Sequence, residues 1–146
     1  MPVSKALRQL LAVRESGEDN ARAVLQSAIA ALHEHEAILA HNVLRAHEGR
    51  KLVVAGIIAS DLCDRMVGIS EQVIAALRAS KLQARVEDER ARVETLRQEY
   101  LAARTNRHQA QTLIDEAIAR DEQEERRRSQ KNLDDWHRDS SRRSGA

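Results

Sequence analysis

The sequence predicts an all-α fold, a long antiparallel two-helix coiled-coil hairpin, from its composition and from two stretches of heptad spacing. Hydrophobic residues make up 42% of the chain, yet Phe is absent and Tyr and Trp occur once each. Ala, Leu, Val and Ile therefore supply the apolar surface, which favours a narrow interface between helices over a compact core filled with aromatic rings. With one Pro and five Gly, the chain also lacks the turns that a sheet needs.

The first helix is predicted from about residue 3 to residue 48. Two rows of residues, each with a spacing of seven, form a coiled-coil interface that we call the seam. The rows are Leu11, Glu18, Leu25, Leu32, Leu39 and Ala46, and Leu7, Arg14, Ala21, Ala28, His35 and Asn42. Gly17 lies inside this stretch and costs about 1 kcal/mol relative to Ala in a helix interior.

The second helix is predicted from about residue 61 to residue 137. Its seam positions alternate in spacings of three and four residues, and Glu89 and Arg107 interrupt their otherwise apolar character. The seam positions are Ala75, Ala79, Leu82, Val86, Glu89, Val93, Leu96, Tyr100, Ala103, Arg107, Ala110, Ile114 and Ala117. The length of the pattern predicts that burial along this seam dominates the stability of the hairpin.

The bend between the helices is predicted at about residues 49–60, where Gly49 and Gly56 flank β-branched residues and Ser60-Asp61 can cap the next helix. Residues 138–146 are expected to form a flexible tail, and residues 1–146 a single coiled-coil domain. Apolar side chains crowd the bend: Leu52, Val53, Val54, Ile57, Ile58, Leu62, Met66, Val67 and Ile69. Two interpretations stay open, a local knot of helix or a docking surface.

No catalytic, metal or cofactor site is predicted, so the chain is not expected to be an enzyme. The stretch from His33 to Glu36 begins like a zinc-protease helix, but residue 37 is Ala where the second His is required. His35, His41 and His47 recur every six positions, which spreads them around a helix. Cys63 is single, which excludes an intrachain disulfide and fits a reducing compartment.

Charge and hydropathy narrow the partner classes. A net charge of +1 argues against a dedicated nucleic-acid binder. No apolar run approaches the roughly 20 residues of a membrane span, so a cytoplasmic protein without direct membrane insertion is expected.

Trp136 lies among charges beyond the seam and indicates a contact with a partner protein. The alternative, a ring packed on alkyl stems of its own helix, stays open.

The pattern resembles the central-stalk proteins of type III export systems, the FliJ/YscO type, which serve bacterial flagella and the injectisomes of virulence. The resemblance extends over nearly the whole chain. In the first helix it comprises the apolar row from Leu7 to Leu39, and at the bend the segments Ala55-Gly56-Ile57 and Ser60-Asp61. In the second helix it comprises Met66, Ile69, Val73 and Leu77. It ends with the stretch from Glu125 to Trp136, in which a basic and polar run precedes an acidic pair and an aromatic residue.

The resemblance implies a central stalk that binds a hexameric export ATPase and couples it to a membrane export-gate protein and to export chaperones. The ATPase contacts it implies are Leu7, Leu10, Arg14, Arg126, Arg127, Lys131, Asp134 and Trp136. The gate contacts it implies are Ile38, His41, Arg45, Met66, Ile69 and Val73. The chain lacks the tyrosines that flagellar members have in the second region, which favours an injectisome protein.

Two alternatives are drawn from the residues themselves. A generic coiled-coil scaffold or chaperone would oligomerise through the heptad seam, and a nucleic-acid accessory protein would use the arginine-rich end of the chain.

Overall fold

The computed structural model describes residues 3–145, which form two α-helices, α1 (Lys5–Ala59) and α2 (Leu62–Ser144). The helices run antiparallel and pack against each other, which confirms the predicted helical hairpin. Ser60 and Asp61 form the connection between them. None of residues 3–145 belongs to a β-strand.

Side-chain and backbone caps define both ends of α1. At its start, the Ser4 hydroxyl oxygen accepts a hydrogen bond from the backbone N–H of Leu7 at 3.1 Å. At its end, Ser60 takes a left-handed backbone conformation with φ of 53°. The N–H of Ser60 then donates to the carbonyl of Ile57 at 3.3 Å, and the N–H of Asp61 donates to that of Gly56 at 2.8 Å. This pair of bonds is a Schellman motif, which ends a helix and reverses the chain.

Asp61 also begins α2, since its carboxylate oxygen Oδ1 accepts a hydrogen bond from the N–H of Asp64 at 3.3 Å. The two residues predicted as a cap, Ser60 and Asp61, therefore act on different helices. Ser60 ends the first helix, and Asp61 caps the second. Two residues suffice for the reversal because each performs one of these tasks.

The predicted bend at residues 49–60 is too broad, because α1 continues to Ala59 and Ser60 is the one residue of that range in the reversal. The glycines there allow the two backbones to approach closely. A Cβ added at Gly49 would lie 2.8 Å from the backbone nitrogen of Gln72, and one at Gly56 would lie 2.8 Å from that of Arg65. A Cβ at Gly68 would lie 2.6 Å from the carbonyl oxygen of Gly49. These glycines are buried members of the seam.

The predicted end of the second helix at residue 137 also differs from the structure, in which α2 extends to Ser144. Of the predicted flexible tail, residues 138–144 are helical, and Ala146 lies outside the described residues. Charged residues with good helix propensity, such as Arg138, Arg142 and Arg143, continue the helix where the sequence analysis placed fraying.

The predicted seam is confirmed at all positions of α2 and at all but one position of α1. Each predicted α2 seam residue from Ala75 to Ala117 is buried or half-buried. On α1 the exception is Arg14, which is exposed. The burial pattern also extends the α1 seam past Ala46, through Gly49 and Val53 to Gly56.

The chain divides into two compact units, residues Ala21–Tyr100 and residues Met1–Asn20 with Leu101–Ala146. In the first unit, Leu25 and Leu32 of α1 form an apolar core with Val86 and Val93 of α2. In the second unit, Ala110 and Ile114 of α2 are buried.

Candidate docking surfaces

A polar layer around His35 and Glu89 interrupts the apolar seam within residues 21–100. Nδ1 of His35 lies 2.7 and 2.8 Å from the two carboxylate oxygens of Glu89. Arg85 flanks the same carboxylate, with its Nε 3.6 Å from Oε1. Next to this layer, Arg90 donates to Glu36 at 3.2 Å. Glu89, an interruption in the sequence pattern, therefore faces a complementary group on the other helix.

A second polar layer lies in the other unit, where Glu18 and Arg107 form an ion pair between the helices. The Glu18 side chain is 6% exposed and the Arg107 side chain 31%. Buried polar pairs of this kind fix the register of a coiled coil, because any shift along the helix would leave a charge without its partner. Both interruptions of the α2 seam are thus matched by polar residues of α1.

The last part of α2 is exposed on all sides. We call residues 122–145 the terminal segment, since every one of them is exposed. Trp136 keeps 65% of its surface exposed, and its ring forms a T-shaped pair with that of His137, at a centroid distance of 5.1 Å. Leu133, one helical turn earlier, is 54% exposed. A Trp and a Leu on one helical face form the kind of apolar anchor that interfaces use.

The predicted ATPase contacts are placed differently on the two helices. Five of them lie on the terminal segment and are exposed: Arg126, Arg127, Lys131, Asp134 and Trp136. Asp134 accepts a hydrogen bond from Gln130 at 3.1 Å, within the same helix. On α1, Leu7 and Leu10 are half-buried, whereas Arg14 is exposed. Most of the predicted ATPase contacts that are accessible to a partner therefore lie on the terminal segment.

The six predicted gate contacts lie between residues 38 and 73 on the two helices, and the structure divides them between two flanks of the hairpin. Arg45 donates to Glu71 across the helices at 2.7 Å, so it lies on the Glu71 flank. Glu71 is two residues from Ile69 and two from Val73, and about 200° of helical rotation separates it from each. Ile69 and Val73 are about half exposed on the other flank. A single flat partner surface cannot cover both groups.

Ile38 and His41 share the helical face of Arg45 at spacings of seven and four residues, and Met66 shares that of Ile69 and Val73. Ile38 is 41% exposed and Met66 63% exposed. Arg45 is half-buried and held by its ion pair, so it is the least available member of the predicted gate set.

The connection end of the hairpin carries an excess of exposed apolar side chains. Among the described residues 3–145, 12 of the 20 large hydrophobic residues with high exposure lie between residues 43 and 77, about a quarter of that length. Of the two interpretations of the crowded bend, the structure supports exposure over a local knot, because only Leu52 and Val53 among those nine residues are half-buried. Ile58 reaches 81% exposure.

Two basic residues on this surface, Arg50 and Lys51, are absent from the predicted contacts; they border a hollow on the outer side of α1. The spacing of these residues in the sequence already indicates a shared helical face. They precede Val54 and Ile58 by three to eight positions, which is the spacing of one helical face. The prediction of a bend at residues 49–60 concealed that face.

Metal-binding and membrane-spanning features are absent from the part of the chain that the structure describes. Residues 3–145 contain no cluster of three or more His, Cys, Asp or Glu side chains that could hold a metal ion. Neither α1 nor α2, over its described length, has a stretch long and apolar enough to cross a bilayer.

No protein-family model matches this sequence, and no curated protein or solved structure matches it either.

Proposed function

We propose that this chain is a central stalk or accessory component of a bacterial type III protein export apparatus. It binds the hexameric export ATPase, couples it to the membrane export-gate protein and engages export chaperones. It performs no catalysis itself and works in the cytoplasm at the inner-membrane export machinery. The sequence resemblance motivates the proposal, and the hairpin fold is compatible with it.

The observation that carries the proposal is the terminal segment. Twenty-four consecutive exposed residues, 122–145, continue a helix whose earlier part is packed on a partner helix. The segment offers an apolar pair, Leu133 and Trp136, among charges of both signs. Mixed charges give contacts that form and dissociate readily, since exposed ion pairs contribute about 1 kcal/mol or less each. An ATPase ring that cycles through nucleotide states requires contacts that can be remade.

The scaffold alternative is weakened by the occupied seam. Leu25, Leu32, Val86 and Val93 pack against one another within a single chain. A dimer formed through these positions would have to separate the two helices first. A scaffold would therefore need a different surface for its oligomerisation.

The test uses the single Trp as a probe. The full chain is labelled with 5-fluorotryptophan, and its one fluorine resonance is followed as unlabelled export ATPase from the same host is added. We expect the resonance to shift or broaden, because ring contact changes the environment of Trp136. The ATP hydrolysis rate of the ATPase is measured in parallel and is expected to rise.

Trp136→Ala should keep the helix content and weaken ATPase binding at least tenfold, since aromatic anchors contribute about 2 kcal/mol or more at interfaces. Val24→Ala is the control, because Val24 is another exposed apolar residue, at 46%, and lies on α1. Equal ATPase affinity of the two variants and the unmodified chain would contradict the proposal.

A further inference from the structure

An apolar hollow with a basic border lies on the outer side of α1 close to the connection. We call it the outer groove. Its volume is about 350 Å³, and its floor consists of Val54, Ala55 and Ile58. His47, Arg50 and Lys51 form its border. None of these residues belongs to the predicted ATPase or gate contacts.

The apolar side chains that form the floor of the outer groove are largely exposed to solvent. Val54 is 50% exposed and Ile58 is 81% exposed. The groove belongs to the region between residues 43 and 77 in which exposed apolar residues concentrate. Apolar surface gathered in one region, with charged residues at its border, is typical of an interaction site.

The border charges indicate what kind of partner covers the floor. Arg50 and Lys51 form no ion pair with any described residue, whereas Arg45, one or two turns earlier, is held by Glu71 at 2.7 Å. No carboxylate lies among the residues that line the groove. A second copy of the chain placed on the same face would bring like charges together. The border therefore favours a partner that supplies carboxylates.

The spacing of the lining residues favours a helix over a membrane surface as the partner. His47, Lys51, Val54 and Ile58 lie at i, i+4, i+7 and i+11, which forms a straight row along one helical face. An amphipathic helix matches such a row over several turns. An anionic membrane would also approach the exposed Asp61 at the connection, and the like charges would repel.

We propose that the outer groove docks an acidic amphipathic helix of a partner protein. An apolar side chain of that helix packs on Val54 and Ile58, and its carboxylates pair with Arg50 and Lys51. This inference goes beyond the proposed stalk function and does not depend on it, because it uses neither the terminal segment nor an ATPase.

The probe for the test is a synthetic blocked peptide of three heptads, with Leu at positions a and d and Glu at positions e and g. The Glu flanks repel one another and keep the peptide from associating with itself. A matched peptide carries Lys in place of every Glu. Binding of each labelled peptide to the full chain is measured by fluorescence anisotropy. We expect the acidic peptide to bind and the basic peptide to bind at least tenfold more weakly.

Two groove variants separate the charge from the apolar floor. The double variant Arg50→Glu/Lys51→Glu should weaken the acidic peptide about tenfold or more, since two attractive contacts become repulsive. Ile58→Ser should also weaken it by removing the apolar contact. Arg104→Glu is the control, because Arg104 is an exposed Arg beside another hollow on α2. Arg50, Lys51, Ile58 and Arg104 are all exposed, so circular dichroism should show unchanged helix content.

Three results would overturn the proposal. The first is equal binding of the acidic and basic peptides, or no effect of either groove variant. The second is a dimer in sedimentation velocity that Ile58→Ser dissociates, which would assign the groove to a second copy. The third is binding to phosphatidylserine vesicles, lost in the double variant, without peptide binding. Trp136→Ala should leave peptide binding unchanged, which keeps this test separate from that of the stalk function.

Discussion

Gly68→Ala provides the sharpest test of the close helix approach near the connection. Gly68 is buried, and a Cβ at this position would lie 2.6 Å from the carbonyl oxygen of Gly49 and 2.8 Å from the backbone nitrogen of Val53. Both atoms belong to the backbone of α1, so no side-chain rotation can relieve the contacts. The two helices must move apart instead.

The magnitude follows from two opposing effects. In a helix interior, Ala is favoured over Gly by about 1 kcal/mol. Ordinary van der Waals contact begins at 3.4 Å, so the shortest contact requires a separation of about 0.8 Å at the seam. Forcing an extra carbon into a close-packed interface typically costs about 1–3 kcal/mol. With backbone atoms on both sides the upper part of that range applies, and we expect a net loss of roughly 1–2 kcal/mol.

Gly17→Ala is the matched control, because nothing lies within 4 Å of a Cβ at Gly17. There only the helix propensity acts, and the variant should gain about 1 kcal/mol. The free energy of unfolding is measured by urea denaturation followed with circular dichroism, and the thermal midpoints should move in opposite directions by a few degrees. Equal stabilisation by both substitutions would refute the close approach of α1 and α2 at Gly68.

Three further changes test other parts of the hairpin. Ser60→Gly should raise the free energy of unfolding by about 1 kcal/mol, because Gly adopts the left-handed conformation without steric strain. The control is Ser70→Gly, in an exposed helical position, which should lower the free energy of unfolding by a similar amount in the same urea titration. Arg107→Ala should lower the free energy of unfolding by about 2 kcal/mol by removing the charged partner of a buried carboxylate, and Arg104→Ala should have little effect. Leu96→Asp should lower the thermal midpoint by several degrees, because it places an unpaired charge beside the core of residues 21–100; an unchanged melting curve would disprove the seam register.

Heptad spacing was a reliable guide to the seam because each position in a long repeat is constrained by its neighbours. The predicted α2 positions from Ala75 to Ala117 are all covered in the structure. Arg14 was assigned to the α1 seam by spacing alone, but its long charged side chain is exposed. The sequence pattern marked Glu89 as an interruption and could not show that His35 faces it, because pairing depends on the register between the helices.

The bend was predicted too broadly because Gly has two structural uses that a single sequence does not distinguish. Gly49 and Gly56 were interpreted as helix breakers, since Gly weakens a helix and occurs in turns. In the structure both positions lie in a helix where the other backbone is too close for a side chain. A clue was present, since Ala46, Gly49, Val53 and Gly56 continue the alternation of four and three residues.

For the candidate surfaces, the sequence located the regions but not their faces. The crowding of apolar residues near the connection left a local knot and a docking surface open, and the structure shows most of these side chains exposed. The division of the gate set could not be foreseen, because it depends on which side of the seam Arg45 and Glu71 meet. Arg50 and Lys51 went unnoticed for the related reason that a predicted bend has no helical faces.

The unbroken backbone of α2 has a kinetic consequence for whatever binds the terminal segment. An isolated peptide of 24 residues must first form a helical nucleus, a step with an equilibrium constant on the order of 10⁻³. Residues 122–145 avoid that step, because the packed turns before them act as a template from which the helix grows one residue at a time. Frayed turns can therefore rewind in the sub-microsecond range. A partner that binds the helical form therefore finds it already populated. Thermal unwinding of the last turns leaves the packed part of α2 intact.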